Sequence, residues 1–218
     1  MKNNVSEKLE ISDVSRETSE FVLSLFEHHR KAYSRLIEIW LRWNSRVNLF
    51  SKSTKEEDLI NHIIHSLYLV VSTDFFDDKK MNIIDAGTGG GLPGLPMAIA
   101  CPDRNFILVD KVLKKTLAVR DIIRSLALNN VVAIHQNIAE LDINRSSRVV
   151  SKHAFPVQVL LKALNGKPVH EISMLKGDDI FSEINEGMVI NYKFTLKRFN
   201  IHGNPFFHKR YIVHIHRR

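Results

Sequence analysis

The 218-residue sequence predicts an α/β fold: a mostly parallel, doubly wound sheet preceded by an N-terminal helical element. Three observations predict it. From residue 82 onward, short apolar runs alternate with helical patterns. A glycine-rich segment, Asp85-Ala-Gly87-Thr-Gly89-Gly90-Gly91, joins the first of those runs to a helix. Residues 1–78, by contrast, carry apolar side chains mainly at three- and four-residue spacing. The expected division is residues 1–78 for the helical element and 79–218 for the sheet domain.

Residues 7–46 read as helices, with Phe21, Leu25 and Phe26, then Leu36, Ile37, Trp40 and Leu41, on the apolar faces. Thr54 is a candidate N-cap for a helix through Leu59, Ile60, Ile63, Ile64 and Leu67, with Glu57 placed for a capping box. Thr73–Lys80 is charged and reads as a linker. Asn82–Asp85 reads as a strand and Gly87–Gly91 as a tight loop. Leu92–Ala100 reads as a helix with Pro93 and Pro96 near its start, where missing amide donors cost least. Phe106–Asp110 is a second strand, Lys115–Leu126 a helix, Val131–His135 a strand, Arg148–Ser151 another and Ile172–Leu175 a fifth. Met188–Phe199 and Tyr211–His216 alternate like strands and suggest an antiparallel hairpin on the sheet edge.

Composition narrows the function classes. Hydrophobic residues make up 44% and charged residues 25%, a globular balance. Cys101 is the only cysteine, so no internal disulfide can form and a reducing, cytoplasmic home is expected. The first ten residues contain no apolar core of a secretory signal, and the apolar runs are too short for a membrane span. The formal net charge is +7. Its excess lies late, since residues 181–218 hold seven basic and two acidic side chains. That placement suggests a polyanionic partner such as nucleic acid, although a solvated, solubilising face has the same charge.

The glycine segment carries the chemistry. In such a sheet, ligands bind at the carboxyl ends of the strands. Glycines let the backbone approach a ligand closely, and the following helix offers unpaired amides. Asp110 ends the next strand, where its carboxylate can accept from both ribose hydroxyls. An NAD site shares these features. The spacing here is G-x-G-x-G rather than G-x-G-x-x-G. Asp85, two residues before the first glycine, would oppose a pyrophosphate but suits the ammonium of a methionine moiety. S-adenosylmethionine is therefore the expected cofactor, ahead of NAD and of a purely structural glycine turn. Asp110→Ala is expected to abolish cofactor binding while leaving the fold intact.

Ile84-Asp-Ala-Gly-Thr-Gly-Gly-Gly-Leu-Pro-Gly-Leu-Pro-Met-Ala-Ile99 closely resembles the signature of the RsmG (GidB) family of 16S rRNA methyltransferases. Trp43-Asn44-x-x-x-Asn48-Leu49, His62-x-x-x-Ser66-Leu67, Asp110 with Lys114-Lys115, Leu175-Lys176-Gly177 and Lys209–Ile215 resemble other parts of that family, in order. The resemblance covers most of residues 36–218. It implies a class I, Rossmann-like methyltransferase sheet. It also implies transfer of a methyl group from S-adenosylmethionine to N7 of a guanosine in the 530 loop of 16S rRNA, on the small ribosomal subunit. The family's cofactor positions fall on Gly87, Leu92, Ile138 with Ala139, and Lys152; Gly89 and Gly91 belong to the same cradle. A cytoplasmic, metal-independent enzyme is implied, with a monomer as the default.

Guanine N7 is an unprotonated lone pair, so its methylation needs no general base and rests on proximity and orientation. No Asn-Pro-Pro-Tyr type motif of amine methylation is present; the stretch after the fourth strand reads Ser151-Lys152-His153-Ala154-Phe155. Cys101, at the end of the helix after the glycine loop, reads as a packing residue rather than a nucleophile. Phe155 is a candidate to stack on the target base, and Lys152 or His153 to contact guanine O6 or a phosphate; shaping the loop is the equal alternative. Several family charges are replaced: Asn61 for arginine, His65 for aspartate, Asn137 for arginine, Ala139 for a carboxylate (with Glu140 next door), and Lys152-His153 for a single arginine. A diverged active enzyme is the preferred reading; a non-catalytic S-adenosylmethionine- or RNA-binding protein of the same fold is the alternative. His214 and His216 share one strand face, and His202 and His208 are near in sequence, but no cluster with metal-ligand spacing accompanies them, so they read as surface histidines.

Overall fold

The computed structural model describes residues 8–71, 81–199, 201 and 203–218. The Thr73–Lys80 linker and the boundary at 78/79 fall in 72–80, outside the described residues. Strands β1 (Glu10–Asp13), β2 (Asn82–Ala86), β3 (Phe106–Asp110), β4 (Val131–His135), β5 (Ser147–Lys152), β6 (Val169–Gly177), β7 (Tyr192–Arg198) and β8 (Arg210–Arg217) form one sheet. Their order is β1-β7-β8-β6-β5-β2-β3-β4. Strands β4, β3, β2, β5 and β6 run parallel, and β8 pairs antiparallel with both β6 and β7.

Strand alternation divides the core between two faces. Ile83, Phe106, Leu108, Val131, Val150 and Leu175 pack with α1 (Arg16–His28), α2 (Arg30–Asn44), α3 (Glu56–Val71), α4 (Gly94–Ala100) and α5 (Leu113–Ser125). Ile84, Val109, Val149, Ile172 and Met174 face α6 (Val157–Ala163), α7 (Ile180–Glu183) and α8 (Glu186–Asn191). Burial of both faces explains why β2 and β3 read as continuous apolar runs. The N-terminal helices therefore share one apolar cluster with the sheet. Cys101 is buried in that cluster, and burial pushes its thiol up to about 12.

Four local expectations need correction. The stretch read as wholly helical opens with β1, whose four residues are all exposed and which pairs in parallel with β7. Phe21 and Leu41 are exposed; α1 instead turns Val22 and Phe26 inward, and α2 turns Tyr33, Leu36, Ile37, Ile39 and Trp40. Helix α3 starts at Glu56, and it is Asp58, not Glu57, whose carboxylate reaches back, accepting from the Lys55 amide at 2.8 Å. Finally, Met188–Asn191 belongs to α8, not to a strand. The Asn185 side chain accepts from the Met188 amide and starts the helix, which buries Met188 and Val189. The two last strands are antiparallel as expected, but β8 inserts between β6 and β7, and β1 takes the edge.

Candidate active site

The carboxyl ends of β2, β3, β4 and β5 open onto a cavity of about 630 Å³. Its floor is the glycine loop. Gly87 has φ +70°, and a Cβ there would stand 2.6 Å from the Ala154 Cβ and 2.8 Å from the Phe155 ring. Only glycine lets the loop after β2 and the loop after β5 approach this closely. At Gly91 (φ +99°) a Cβ would collide with Leu95.

Asp85 lies under the loop, fully buried, and does not line the cavity. Its Oδ2 accepts from the Thr88 hydroxyl at 2.6 Å and the Gly94 amide at 2.8 Å, tying loop and α4 to β2. Its Oδ1 has no partner among the described residues. Burial raises its pKa to about 7, against the lowering effect of those hydrogen bonds. A buried carboxylate with one orphaned oxygen fits a cationic ligand group nearby. Asp110 lines the cavity. Its oxygens accept from the Gly89 amide and the Val112 amide, both at 2.8 Å. Each oxygen keeps a lone pair, so the carboxylate suits a ribose diol.

Of the other sequence candidates, Gly87, Gly89, Leu92, Ile138, Lys152 and His153 line the cavity, whereas Gly91 and Ala139 do not. The Ala139 amide is used locally, donating to Asn137 Oδ1 at 3.1 Å. Lys152 is buried at the end of β5 and donates from Nζ to the His62 carbonyl at 3.2 Å. Burial, then the nearby Arg210, pushes its amine well below the usual lysine range, and Asp85 only partly offsets this. Desolvation, then the cations Lys152 and Arg210, lowers His153 to about 4, although the residue reaches solvent. Phe155 also lines the cavity. Its loop is pinned from below, where Lys176 donates to the Phe155 carbonyl at 3.1 Å and pairs with Glu183.

Sequence reasoning missed several residues here. Trp40 donates its indole N–H to the Gly90 carbonyl at 2.7 Å. Phe50 lines the cavity and occupies the space where a Gly90 Cβ would fall, with Asn44 Oδ1 holding the Leu49 and Phe50 amides. His62 also lines the cavity, and behind it His65 is fully buried against Phe199, Phe206 and Phe207. The Trp43-Asn44 and His62-x-x-x-Ser66 motifs pointed toward this group without placing it at the cavity.

The histidines of the last strand lie elsewhere. His214 is buried rather than a surface residue, and its Nδ1 lies 2.9 Å from the Ser173 hydroxyl and 3.1 Å from Glu171 Oε1. His202 is outside the described residues. Among those residues, no group of three or more His, Cys, Asp or Glu side chains is placed to hold a metal ion, and no helix is long and apolar enough to cross a membrane.

Residues 29–203 match the GidB family, described as rRNA small subunit methyltransferase G. This chain belongs to the GidB family. The ribosomal RNA small subunit methyltransferase G of Chlorobium phaeobacteroides is 33% identical over 201 residues, 88% of each chain. That of Bacteroides fragilis is 30% identical over 200 residues, 88% of this chain and 94% of its own. Among solved structures, the N-terminal domain of human METTL16 in complex with SAH superposes with a TM-score of 0.53 at 11% identity, covering 70% of this chain and 69% of that one. A ribosomal protein L11 methylase from Lactobacillus delbrueckii subsp. bulgaricus gives 0.51 at 10% identity, covering 73% and 80%. At such identities the likeness shows the fold alone, a class I methyltransferase sheet. As a GidB-family member the chain is an S-adenosylmethionine-dependent rRNA methyltransferase, as the sequence resemblance implied.

Proposed function

We propose that the enzyme methylates N7 of a guanosine in the 530 loop of 16S rRNA, acting in the cytoplasm on the small subunit or its precursor. The observation that carries this reading is the glycine-floored cavity itself, whose one lining carboxylate among the described residues, Asp110, is engaged by the Gly89 and Val112 amides and so placed for a ribose rather than for proton removal from a base. Lys152 and His153 are both displaced toward their neutral forms by desolvation and neighbouring cations. N7 attack needs no proton removed beforehand. Neutral Lys152 and His153 also avoid repelling the positive charge that develops on the guanine ring.

S-adenosylmethionine supplies an electrophilic methyl group on sulfur. In the proposed arrangement Gly87, Gly89 and Leu92 cradle its methionine part, with Gly91 shaping the turn and Asp85 beneath as the counter-charge. Asp110 takes the ribose hydroxyls, and Ile138, followed by Ala139, flanks the adenine. The target base enters beside Phe155, Lys152 and His153. With S-adenosylmethionine bound, these residues would hold its sulfonium methyl in line with guanine N7, whose lone pair would take the methyl while the S–CH3 electron pair stayed on sulfur, leaving cationic N7-methylguanosine and a neutral thioether. The residues contribute orientation and exclusion of water. Lys111 and Lys115 at the cavity provide charge for the phosphate backbone. The basic residues of 181–218 do not form one patch there: Lys193 and Arg217 lie toward the opposite end of the sheet, and Lys193, Arg198 and Lys209 pair with Glu10, Asp13 and Asp178.

Mass-spectrometric mapping of small-subunit rRNA tests this. RNA lacking the mark should gain one methyl on a 530-loop guanosine when the protein and S-adenosylmethionine are added. A methyl group found on another atom or in another loop would overturn the assignment.

A further inference from the structure

His153 is aimed by an unusual backbone. It follows β5 with φ +51°, the left-handed region that a residue with a Cβ seldom occupies outside constrained sites. Its amide donates to the Leu175 carbonyl at 3.2 Å, which holds that turn against β6. The side chain lines the cavity, and its Nε2 lies 3.1 Å from Arg210 Nη1.

A guanidinium has donors and no acceptor, so Nε2 must accept this bond. The ring proton is then on Nδ1. Arg210 has little freedom to do otherwise. Its guanidinium stacks 4.1 Å from the Phe206 ring centre, and its Nε donates to the Phe206 carbonyl. The turn carrying Phe206 is tied to α3, since Asn204 Nδ2 donates to Asn61 Oδ1 at 2.9 Å. The His153 Nδ1 has no partner among the described residues. A second proton on Nε2 would face Arg210 directly, with Lys152 and Lys176 also nearby and Asp179 as the one opposing charge.

Guanine and adenine differ beside N7. Guanine presents O6, an acceptor; adenine presents an amino group, a donor. A ring fixed as an N–H donor matches the first and opposes the second. From this geometry we infer that Arg210 fixes His153 as its Nδ1–H tautomer, and that this donor reads O6 of the target guanine. His153 is the specificity-determining residue and Arg210 its positioning residue. The inference rests on the proposed N7 reaction.

Two measurements test it. Nitrogen NMR of imidazole-labelled protein should find His153 with Nδ1 protonated, and Arg210→Met should shift it toward the Nε2–H form. A wild-type ring protonated on Nε2 overturns the inference without any appeal to activity. The second uses small-subunit RNA with guanine or 2-aminopurine at the target position, the latter lacking O6 but keeping N7. The wild-type enzyme should prefer guanine, and the kcat/KM ratio should fall about tenfold in both His153→Gly and Arg210→Met. Glycine suits the left-handed backbone at 153, and methionine preserves the packing on Phe206. Unchanged affinity for S-adenosylhomocysteine in calorimetry separates this effect from a disturbed cofactor site. Label on N7 with an unaltered ratio in the variants overturns the O6 contact and leaves the N7 reaction standing. Label on any atom other than N7 overturns both.

Discussion

Trp40 on α2 donates its indole N–H to the carbonyl of Gly90 in the cofactor loop across 2.7 Å, with both groups buried. Fifty residues separate them in sequence. The helical element therefore holds the loop by a direct bond, and Phe50 packs edge-on against Trp40 at 5.2 Å to close the same corner. Trp40→Phe keeps the apolar packing and leaves the Gly90 carbonyl without its donor. A buried acceptor stripped of its partner costs about 1–3 kcal/mol. Urea denaturation should show that loss, and calorimetry should show weaker S-adenosylhomocysteine binding. Lost stability with intact binding would mean that the helix supports the fold without shaping the loop.

Gly87 and Gly89 should respond differently to alanine. Both have positive φ, +70° and +58°. At Gly87 the new methyl would also collide with Ala154 and Phe155, whereas at Gly89 nothing lies within 4 Å. Gly89→Ala should cost about 1–2 kcal/mol from backbone strain alone. Gly87→Ala should cost more and abolish methyl transfer, because the loop after β5 must move away from β2. Equal effects in thermal unfolding and transfer assays would remove the close approach as the reason for Gly87.

Much of this was legible in the sequence because both faces of the central strands are buried. Asn82–Ala86, Phe106–Asp110 and Val131–His135 stand out as apolar runs between polar turns, and glycines mark the loop between β2 and α4. Strand β1 was not legible, since Glu10–Asp13 is polar, exposed and stabilised by pairing with β7 far along the chain. Helix α8 was misread because Val189 and Ile190 favour strands locally, whereas the Asn185 cap and burial of Met188 decide for helix. The insertion of β8 between β6 and β7 has no local signal. The same holds for the site: the glycine loop and Asp110 are contiguous motifs, but Phe50, His62 and Arg210 reach it only through tertiary packing.

Asp110 needs a sharper test than its removal. Its carboxylate holds the Gly89 and Val112 amides, so Asp110→Ala loosens the loop as well as deleting the ribose acceptor. Hydrogen bonds to a charged group contribute about 1.5–3 kcal/mol each, so alanine should lower stability as well as binding. Asp110→Asn keeps one acceptor oxygen and nearly the same shape. It should remain folded and bind S-adenosylhomocysteine at least tenfold more weakly, about 1.4 kcal/mol. Wild-type affinity in the asparagine variant would take the ribose contact away from Asp110.

The histidines behind the cavity make the fold sensitive to acid. Burial, with Lys152 and the Arg210 guanidinium nearby, lowers His62 to about 3; burial likewise holds His65 well below its usual 6.5. A histidine held neutral in the fold binds a proton only on unfolding. Its stabilising contribution is complete above about pH 6.5 and is lost as pH falls toward the folded value. Asp85 has the opposite sign, because its raised pKa favours the fold at lower pH, but it is one group against His62, His65 and His153. Lys152, lowered in the fold, acts in the same direction as the histidines. Neither ring nitrogen of His65 has a partner among the described residues, and the ring sits among three phenylalanines. Leucine is similar in size and has no polar atoms to leave unsatisfied. His65→Leu should therefore raise the Tm at pH 5 more than at pH 8 and flatten the acid limb of the Tm–pH curve. At pH 8 the gain should be about 1 kcal/mol from removing the orphaned nitrogens. A Tm–pH curve parallel to the wild type would show that His65 does not titrate on unfolding, and the acid sensitivity would then belong to His62 and His153.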